Sequence, residues 1–339
     1  MRTLIRKARR VPLASPSSPV PPMKHLLFLF LDGVGLAPET DQNPFAAHDG
    51  AAFRHLAGDQ SWTQPFDEHD TPQHITRALD ATLGVDGLPQ SGTGQASLMT
   101  GTNCAQQVGR HFGPFPHSKT HDNLDQANLF HKVQSLFPQH DAPAAFANAY
   151  PPQFFNAARR RATVTTYCCN AAGVEIRDID ALQSGRALSA DLTGTAWREI
   201  LQLDVPDRSM TEAAQILAST TRQHAFTLFE YFLTDKVGHN RIDMPASTLL
   251  TELDRFLDAL IEALDPDRET LLITSDHGNL EDTSHTQHTH NPVPLLVYGW
   301  AAPHFAQAGD LTDVTPGIVN ALQAASTSAP SAYSDEEAA

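Results

Sequence analysis

The chain of 339 residues has only three cysteines, Cys104, Cys168 and Cys169, too few and too badly spaced for a disulfide framework or a paired-cysteine metal motif. Cys168 and Cys169 are adjacent, and two reduced, small apolar residues near a strand are what a reducing compartment favours. Long apolar runs are missing too. The longest of note, Leu26 to Leu31, is broken at once by Asp32, so it is far too short to span a bilayer and poor as a signal-peptide core. A cytoplasmic protein without membrane contact is expected. Positive charge is scarce: 23 Lys and Arg stand against 39 Asp and Glu, a formal net charge of −16. Such a surface repels nucleic acid and anionic membranes, which argues against a DNA- or RNA-binding protein. Phosphate chemistry stays open, because metal ions and local basic groups can invert the field at a site.

Hydrophobic residues make up 41% of the chain, enough for a substantial core, and the length suits one large domain or two ordinary ones. Residues 1–22 are basic, then rich in Pro and Ser, and read as a disordered extension with Met23 as an alternative start; residues 326–339 read as a polar, disordered tail. Between them the pattern is α/β. HLLFLFLDGVG reads as a buried strand running into a glycine-containing loop, and residues 225–234, 270–275 and 293–298 are further strand candidates. Helical patterns cover roughly 97–106, 211–222, 246–264 and 315–324. Strands alternating with helices predict a mostly parallel sheet sandwiched by helices.

In open α/β sheets, ligands bind beyond the carboxyl ends of the strands. Asp32, Asp235 and Asp276 all fall at such ends, although they are distant in sequence. Three carboxylates gathered at one sheet edge repel one another unless a cation holds them together. Imidazoles accompany them. TDKVGHN sets His239 four residues after Asp235, TSDHGN puts His277 beside Asp276, and HTQHTHNPVP crowds His285, His288 and His290 before an apolar strand. Taken singly, each cluster has a bland reading: a helix cap, a turn residue or a surface histidine. Taken together they offer carboxylate and imidazole ligands in numbers that suit two divalent ions, manganese or zinc foremost and magnesium as a further option.

A nucleophile is at hand in LPQSGTGQASLMTG, a glycine-rich turn after Leu88-Pro89 leading into a helix from about Ser97. A hydroxyl at such a turn meets free backbone N–H groups and the positive end of the helix, which favour a phosphoryl group. Ser91 and Thr93 both qualify from the turn alone.

LDGVG, SGTGQASLMTG, DKVGH, DHGN and HTQHTHNPVP, in this order, resemble the metal-site motifs of the alkaline phosphatase superfamily. The nearest likeness is to cofactor-independent phosphoglycerate mutases, with phosphopentomutases and nucleotide pyrophosphatases as further relatives. DVTPGIVNAL resembles the helix that closes the core in that superfamily. The likeness covers residues 23–108 and 225–325, which it identifies as the catalytic core, with residues 109–224 as a small inserted cap. It implies that Asp235, His239 and His288 hold one ion and Asp32, Asp276 and His277 the other. Ser91, six residues before Ser97 of SLMTG, would be the nucleophile and would also touch metal, which demotes Thr93. His285 and His290 are left as outer contacts to ligands or substrate. The implied reaction is in-line phosphoryl transfer on a small phosphorylated substrate through a phosphoserine.

The insert is short, and the arginines and histidine that grip substrate in mutase caps have no one-to-one match in it. Arg110, His111, His117 and Lys119 of GRHFGPFPHSKT are its candidates for a cationic phosphate clamp beside the nucleophile, against a solvated loop as the alternative. Arg159, Arg160 and Arg161 form a second basic run, read as solvated surface. A closed cap that excludes water supports a mutase, and a loose one a phosphatase or phosphodiesterase. The mutase type is the leading expectation. Metal-dependent hydrolysis is the runner-up, and a non-catalytic metal-binding relative is the third reading.

Overall fold

The computed structural model describes residues 23–156 and 162–327. Residues 1–22, the Arg159–Arg161 run and most of the C-terminal tail lie outside the described residues; Ser326 and Thr327 still belong to the last helix, Val314–Thr327.

Seven strands form one sheet: β1 (His25–Leu31), β2 (His69–Thr71), β3 (His74–Leu79), β4 (Ala144–Phe146), β5 (Phe226–Tyr231), β6 (Glu269–Thr274) and β7 (Val293–Tyr298). Their spatial order is β2-β3-β7-β6-β1-β5-β4. The sheet is mixed. β6, β1, β5 and β4 run parallel to one another, whereas β7, β3 and β2 pair antiparallel at the other end.

β1 lies in the middle of the parallel half, and all seven of its residues are buried. An apolar run without alternation belongs where helices cover both faces. Leu26, Phe28 and Phe30 face one core with Leu98 and Met99 of the helix Ser91–Thr100, Val164 and Cys168 of Val164–Ala172, and Ile318 and Leu322 of the last helix. Leu27, Leu29 and Leu31 face a second core, built from Leu217 of the helix Met210–Thr221 and Leu253, Phe256 and Leu260 of Ala246–Ala263. A third, smaller cluster joins Ala149, Ala181, Leu182, Ala187, Trp197 and Val205 within the 109–224 segment.

β1, β5, β6 and β7 stand where their apolar runs predict. β2, β3 and β4 have no such run: β2 and β4 are three residues long, and β3 (HITRAL) carries Arg77, buried and paired with Asp70 at 2.9 Å. Two local expectations are corrected. Cys168 and Cys169 lie in a helix rather than near a strand; both are free and buried, and that burial raises their thiol pKa. The nucleophile helix starts at Ser91, not near Ser97, so Gly92 and Gly94 lie inside its first turns. The glycines serve close packing instead of a turn: a Cβ on Gly92 would come within 2.2 Å of the Phe115 carbonyl oxygen, and one on Gly94 within 2.8 Å of the Asp276 oxygen.

Candidate metal centre

Three parallel strands deliver three carboxylates to one edge. β1 ends at Leu31 and places Asp32 in the next position, the helix Leu233–Gly238 after β5 holds Asp235, and β6 is followed by Ser275, Asp276 and His277. Short hydrogen bonds lock these loops together. The Asp32 amide donates to the Tyr231 carbonyl at 3.1 Å, the Thr234 hydroxyl to the Asp32 carbonyl at 2.5 Å, and the Val34 amide to Ser275 Oγ at 2.9 Å. Gly33, at φ +72°, turns the chain under Asp235, where a Cβ would sit 3.1 Å from the Asp235 backbone.

Two overlapping groups result: Asp32, Asp276 and His277, and Asp235, His277 and His288, each with its ligand atoms within 4.8 Å of one another. His277 Nε2 lies 3.5 Å from both Asp32 Oδ1 and Asp276 Oδ2. His239 Nε2 lies 3.1 Å from Asp235 Oδ1 and 3.1 Å from His288 Nε2. Ser91 Oγ, at the start of its helix, is 2.9 Å from His277 Nε2. The seven residues that the sequence resemblance singled out are thus gathered at one point. Thr93 is spent elsewhere, on the backbone of Phe112 and Gln90.

The protonation pattern of this cluster follows from its partners. His239 Nδ1 faces the Thr286 carbonyl at 2.6 Å, His288 Nδ1 the Pro89 carbonyl at 2.7 Å, and His277 Nδ1 the Gly278 carbonyl at 3.4 Å. A carbonyl can only accept, so each Nδ1 carries the hydrogen, and each ring in its neutral form turns the Nε2 lone pair to the centre. Two such lone pairs, on His239 and His288, face each other at 3.1 Å. That approach is repulsive unless a cation lies between them. The carboxylates tell the same story. Asp32 Oδ1, Asp235 Oδ1 and Asp276 Oδ1 are buried and have no hydrogen-bond donor. A buried, unpartnered carboxylate oxygen is expensive, and a bound cation removes the expense.

Electrostatics agree. Burial raises the Asp32 carboxyl well above its ordinary value, with Asp276 and Asp235 adding to the effect. Asp276 is pushed up to about 7 by burial and then by Asp235. Burial lowers His277 to about 4, and burial followed by the neighbouring His277 lowers His288 to about 4, so both imidazoles are neutral ligands near pH 7. The donor set is carboxylate oxygen and imidazole nitrogen, which fits manganese, zinc or magnesium better than metals that prefer thiolate.

Other side chains hold this assembly, and sequence reasoning did not single them out. Glu281 is buried and accepts from Gly35 N (2.9 Å), Asn279 N (2.8 Å), Asn291 Nδ2 (3.1 Å) and the Thr289 hydroxyl. One carboxylate therefore clamps the loops after Asp32 and Asp276 and the loop carrying His288. Gln95, one helical turn after Ser91, donates to Asp276 Oδ2 at 3.1 Å. Glu230 lies beneath the centre on β5, takes the Thr165 hydroxyl at 2.6 Å, and is pushed up to about 7 by burial. An acidic residue inside a motif-dense loop, as in DHGNLE, or inside an apolar strand, as in FTLFEY, is the signal that marks such positions.

The 109–224 segment behaves differently. Phe112 to Phe115 pack directly over Ser91 and Gly92, and the Phe112 carbonyl takes the Thr93 amide at 2.8 Å. Its basic residues each have a separate contact. Lys119 Nζ donates to the Val108 carbonyl (3.1 Å), His111 Nε2 to the Val85 carbonyl (3.2 Å), and the exposed Arg110 guanidinium lies 5.6 Å over the Phe112 ring. His117 Nδ1 accepts from the Lys119 amide. His285 and His290 are exposed, His285 3.5 Å from Asp282.

The fold and this centre define a metal-dependent α/β enzyme class, and the chain belongs to the metalloenzyme superfamily, whose family model matches residues 23–326. Among curated relatives, the 2,3-bisphosphoglycerate-independent phosphoglycerate mutase of Vibrio vulnificus is 32% identical over 124 residues, 34% of this chain and 24% of that enzyme. The match thus spans about a quarter of the mutase's length. Among solved structures, the PH0037 protein from Pyrococcus horikoshii superposes with a TM-score of 0.52 at 12% identity, covering 89% of this chain and 98% of that one. The alkaline phosphatase of the Antarctic bacterium TAB5 gives 0.49 at 11% identity, over 89% of this chain and 99% of its own. The likeness to the Pyrococcus protein is one of fold.

Proposed function

We propose that this protein transfers phosphoryl groups through a phosphoserine at Ser91, with one divalent ion held by Asp235, His239 and His288 and a second by Asp32, Asp276, His277 and Ser91. The observation that carries this reading is the position of Ser91 Oγ, 2.9 Å from His277 Nε2, an atom shared by both carboxylate–imidazole groups. Bound there, the ions supply the positive charge that lowers the hydroxyl's pKa and neutralises the phosphoryl oxygens.

The residues of the chain do the rest. Ser91 gives up its proton to solvent water and its Oγ attacks phosphorus; the Oγ–P bond forms as the ester P–O bond breaks, and the leaving oxygen takes a proton back from solvent and departs as an alcohol, so that no net proton is gained or lost. A second oxygen then attacks the phosphoserine and frees Ser91. The helix starting at Ser91 directs its positive end at the incoming phosphoryl group. Gln95 and Glu281 fix the orientation of Asp276 and of the loops around it.

Two acceptors define two readings. Similarity to the mutases favours return of the phosphoryl group to a sugar-acid hydroxyl. The separate contacts of Arg110, His111 and Lys119 favour water, since His111 and Lys119 are each bonded to a backbone carbonyl and Arg110 lies over the Phe112 ring. Incubation with manganese and either 3-phosphoglycerate or an aryl phosphate, with isomer and free phosphate both followed, separates them. Ser91→Ala is expected to lower either activity at least about 10³-fold while the thermal transition is retained. A Ser91→Ala protein of unchanged rate contradicts the phosphoserine route.

A further inference from the structure

A cavity of about 300 Å³ opens at the same edge of the sheet as the metal centre. β4 and β5 are neighbours and parallel, so residues 148–151 and Phe232–Leu233, which line the cavity, leave the sheet on the side where Asp32 and Asp235 leave it. Strand spacing is about 4.8 Å, so a cavity beyond β4 and β5 is a direct neighbour of a centre spread over β5, β1 and β6. Phe232 stands between Tyr231, whose carbonyl receives the Asp32 amide, and the helix that carries Asp235; Leu233 is two residues before that ligand. The far wall comes from the inserted segment, with Trp197, Ile200 and Leu201.

The chemistry of the lining narrows what can enter. Two of its polar side chains, Asn148 and Asp191, are already occupied. Asn148 gives its amide to the Glu230 carbonyl (2.7 Å) and takes the Glu230 N–H (2.8 Å). Asp191 takes the amides of Gly194 (3.2 Å) and Ala196 (2.6 Å). The rest is mainly aromatic and aliphatic surface, with the Tyr150 hydroxyl and the Trp197 indole N–H as its further polar groups. Ile200, on the rim, is 77% exposed, an unusual position for so large an apolar residue. No Lys, Arg or His is among the described residues that line the cavity, and Asp191 is the one charged side chain among them. The volume is at the lower end of the roughly 300–1,000 Å³ typical of small-molecule sites.

Building on the phosphoryl-transfer reading, we propose that this cavity holds the organic group of the substrate, and that this group is uncharged and apolar: the enzyme acts on phosphate esters of aryl or alkyl alcohols rather than on a phosphorylated sugar acid. Phosphorus sits over Ser91, the ester oxygen points toward Phe232, and the ring or chain lies between Tyr150, Phe232 and Trp197. Cleavage leaves the alcohol in the cavity, protonated by water, and the phosphoryl group on Ser91.

The test compares phenyl phosphate with glycerol phosphate in the manganese-loaded protein, in wild type and in Ile200→Asp, a rim change at a largely exposed position that the fold tolerates. Wild type is expected to prefer phenyl phosphate in kcat/KM by at least about tenfold, the discrimination that apolar pockets give. Ile200→Asp is expected to cut that ratio about tenfold through the KM for phenyl phosphate. A wild type that prefers glycerol phosphate, or a ratio unmoved by the substitution, overturns the subsite. If neither ester is turned over, the phosphoryl-transfer reading fails instead, and the cavity is judged by binding alone. Phenyl phosphate must then shift the tryptophan emission of wild type but not of Trp197→Phe, and an unshifted emission overturns the subsite.

Discussion

The loops after β1, β5 and β6 and the 109–120 stretch of the insert, whose backbone packs on Ser91 and Gly92, both carry histidines, yet their imidazoles are used in opposite senses. In the motif loops the backbone takes Nδ1 of His239, His277 and His288, which leaves every Nε2 facing inward. In the insert the Val85 carbonyl takes Nε2 of His111, and the Lys119 amide takes Nδ1 of His117. The number of histidines does not make a metal centre. The backbone carbonyl that occupies the outer nitrogen does, because it fixes which lone pair is available and where it points. Carboxylates show the same contrast. Asp32, Asp235 and Asp276 each keep one buried oxygen without a donor, whereas Asp191 of the insert is filled by two backbone amides.

This contrast predicts an order of sensitivity. The largest effect belongs to Glu281, the clamp between three loops of the centre. Glu281→Leu leaves four donors without an acceptor and is expected to cost about 4 kcal/mol in urea unfolding. A loss below about 1 kcal/mol removes it from that role. Next comes Glu230. In the folded, metal-free protein its carboxyl keeps a proton up to about pH 7, whereas the unfolded chain releases it near the ordinary 4.5. The native state therefore holds more protons in that window, and stability falls as pH rises from about 4.5 to 7, by about 3 kcal/mol. Asp32 and Asp276 add a loss of the same sign in both proteins, so unfolding of the metal-free protein at pH 5 and pH 8 should show a loss about 3 kcal/mol larger in wild type than in Glu230→Gln; equal losses in both contradict the assignment.

Smaller still is Gln95, which touches one ligand only. Gln95→Ala is expected to weaken divalent-metal binding about tenfold by calorimetry, with little change in unfolding midpoint. At the bottom of the scale is Lys119, exposed and tied to a single carbonyl. Lys119→Ala should change stability by no more than about 0.5 kcal/mol and turnover less than about twofold. A tenfold fall in kcat/KM for Lys119→Ala would restore the cationic clamp and blur the difference between insert and core.

What was legible in the sequence follows the same division. β1, β5, β6 and β7 are short apolar runs buried on both faces, and each of the first three points its terminal polar cluster at the centre, so strand ends and ligands could be read together. β2, β3 and β4 gave no period: they are short, or broken by the buried Arg77. The glycines of SGTGQ read as a turn because glycine disfavours helices, but here they admit the Phe115 and Asp276 backbones against a helix that begins at Ser91. Glu281 and Gln95 were silent because their roles depend on partners far along the chain, up to 246 residues away for Gly35 and Glu281. The cavity wall could not be read for the same reason: Asn148, Trp197 and Phe232 meet only once the insert is folded onto β4 and β5.

The most direct test of the central claim is anomalous diffraction from crystals grown with manganese. Two ions per chain are predicted, at about 2.0–2.3 Å from their ligands. One should lie between Asp235, His239 and His288, and the other between Asp32, Asp276 and His277 with Ser91 Oγ beside it. Well-ordered carboxylates and imidazoles with no anomalous peak between them, at millimolar manganese and neutral pH, would contradict it.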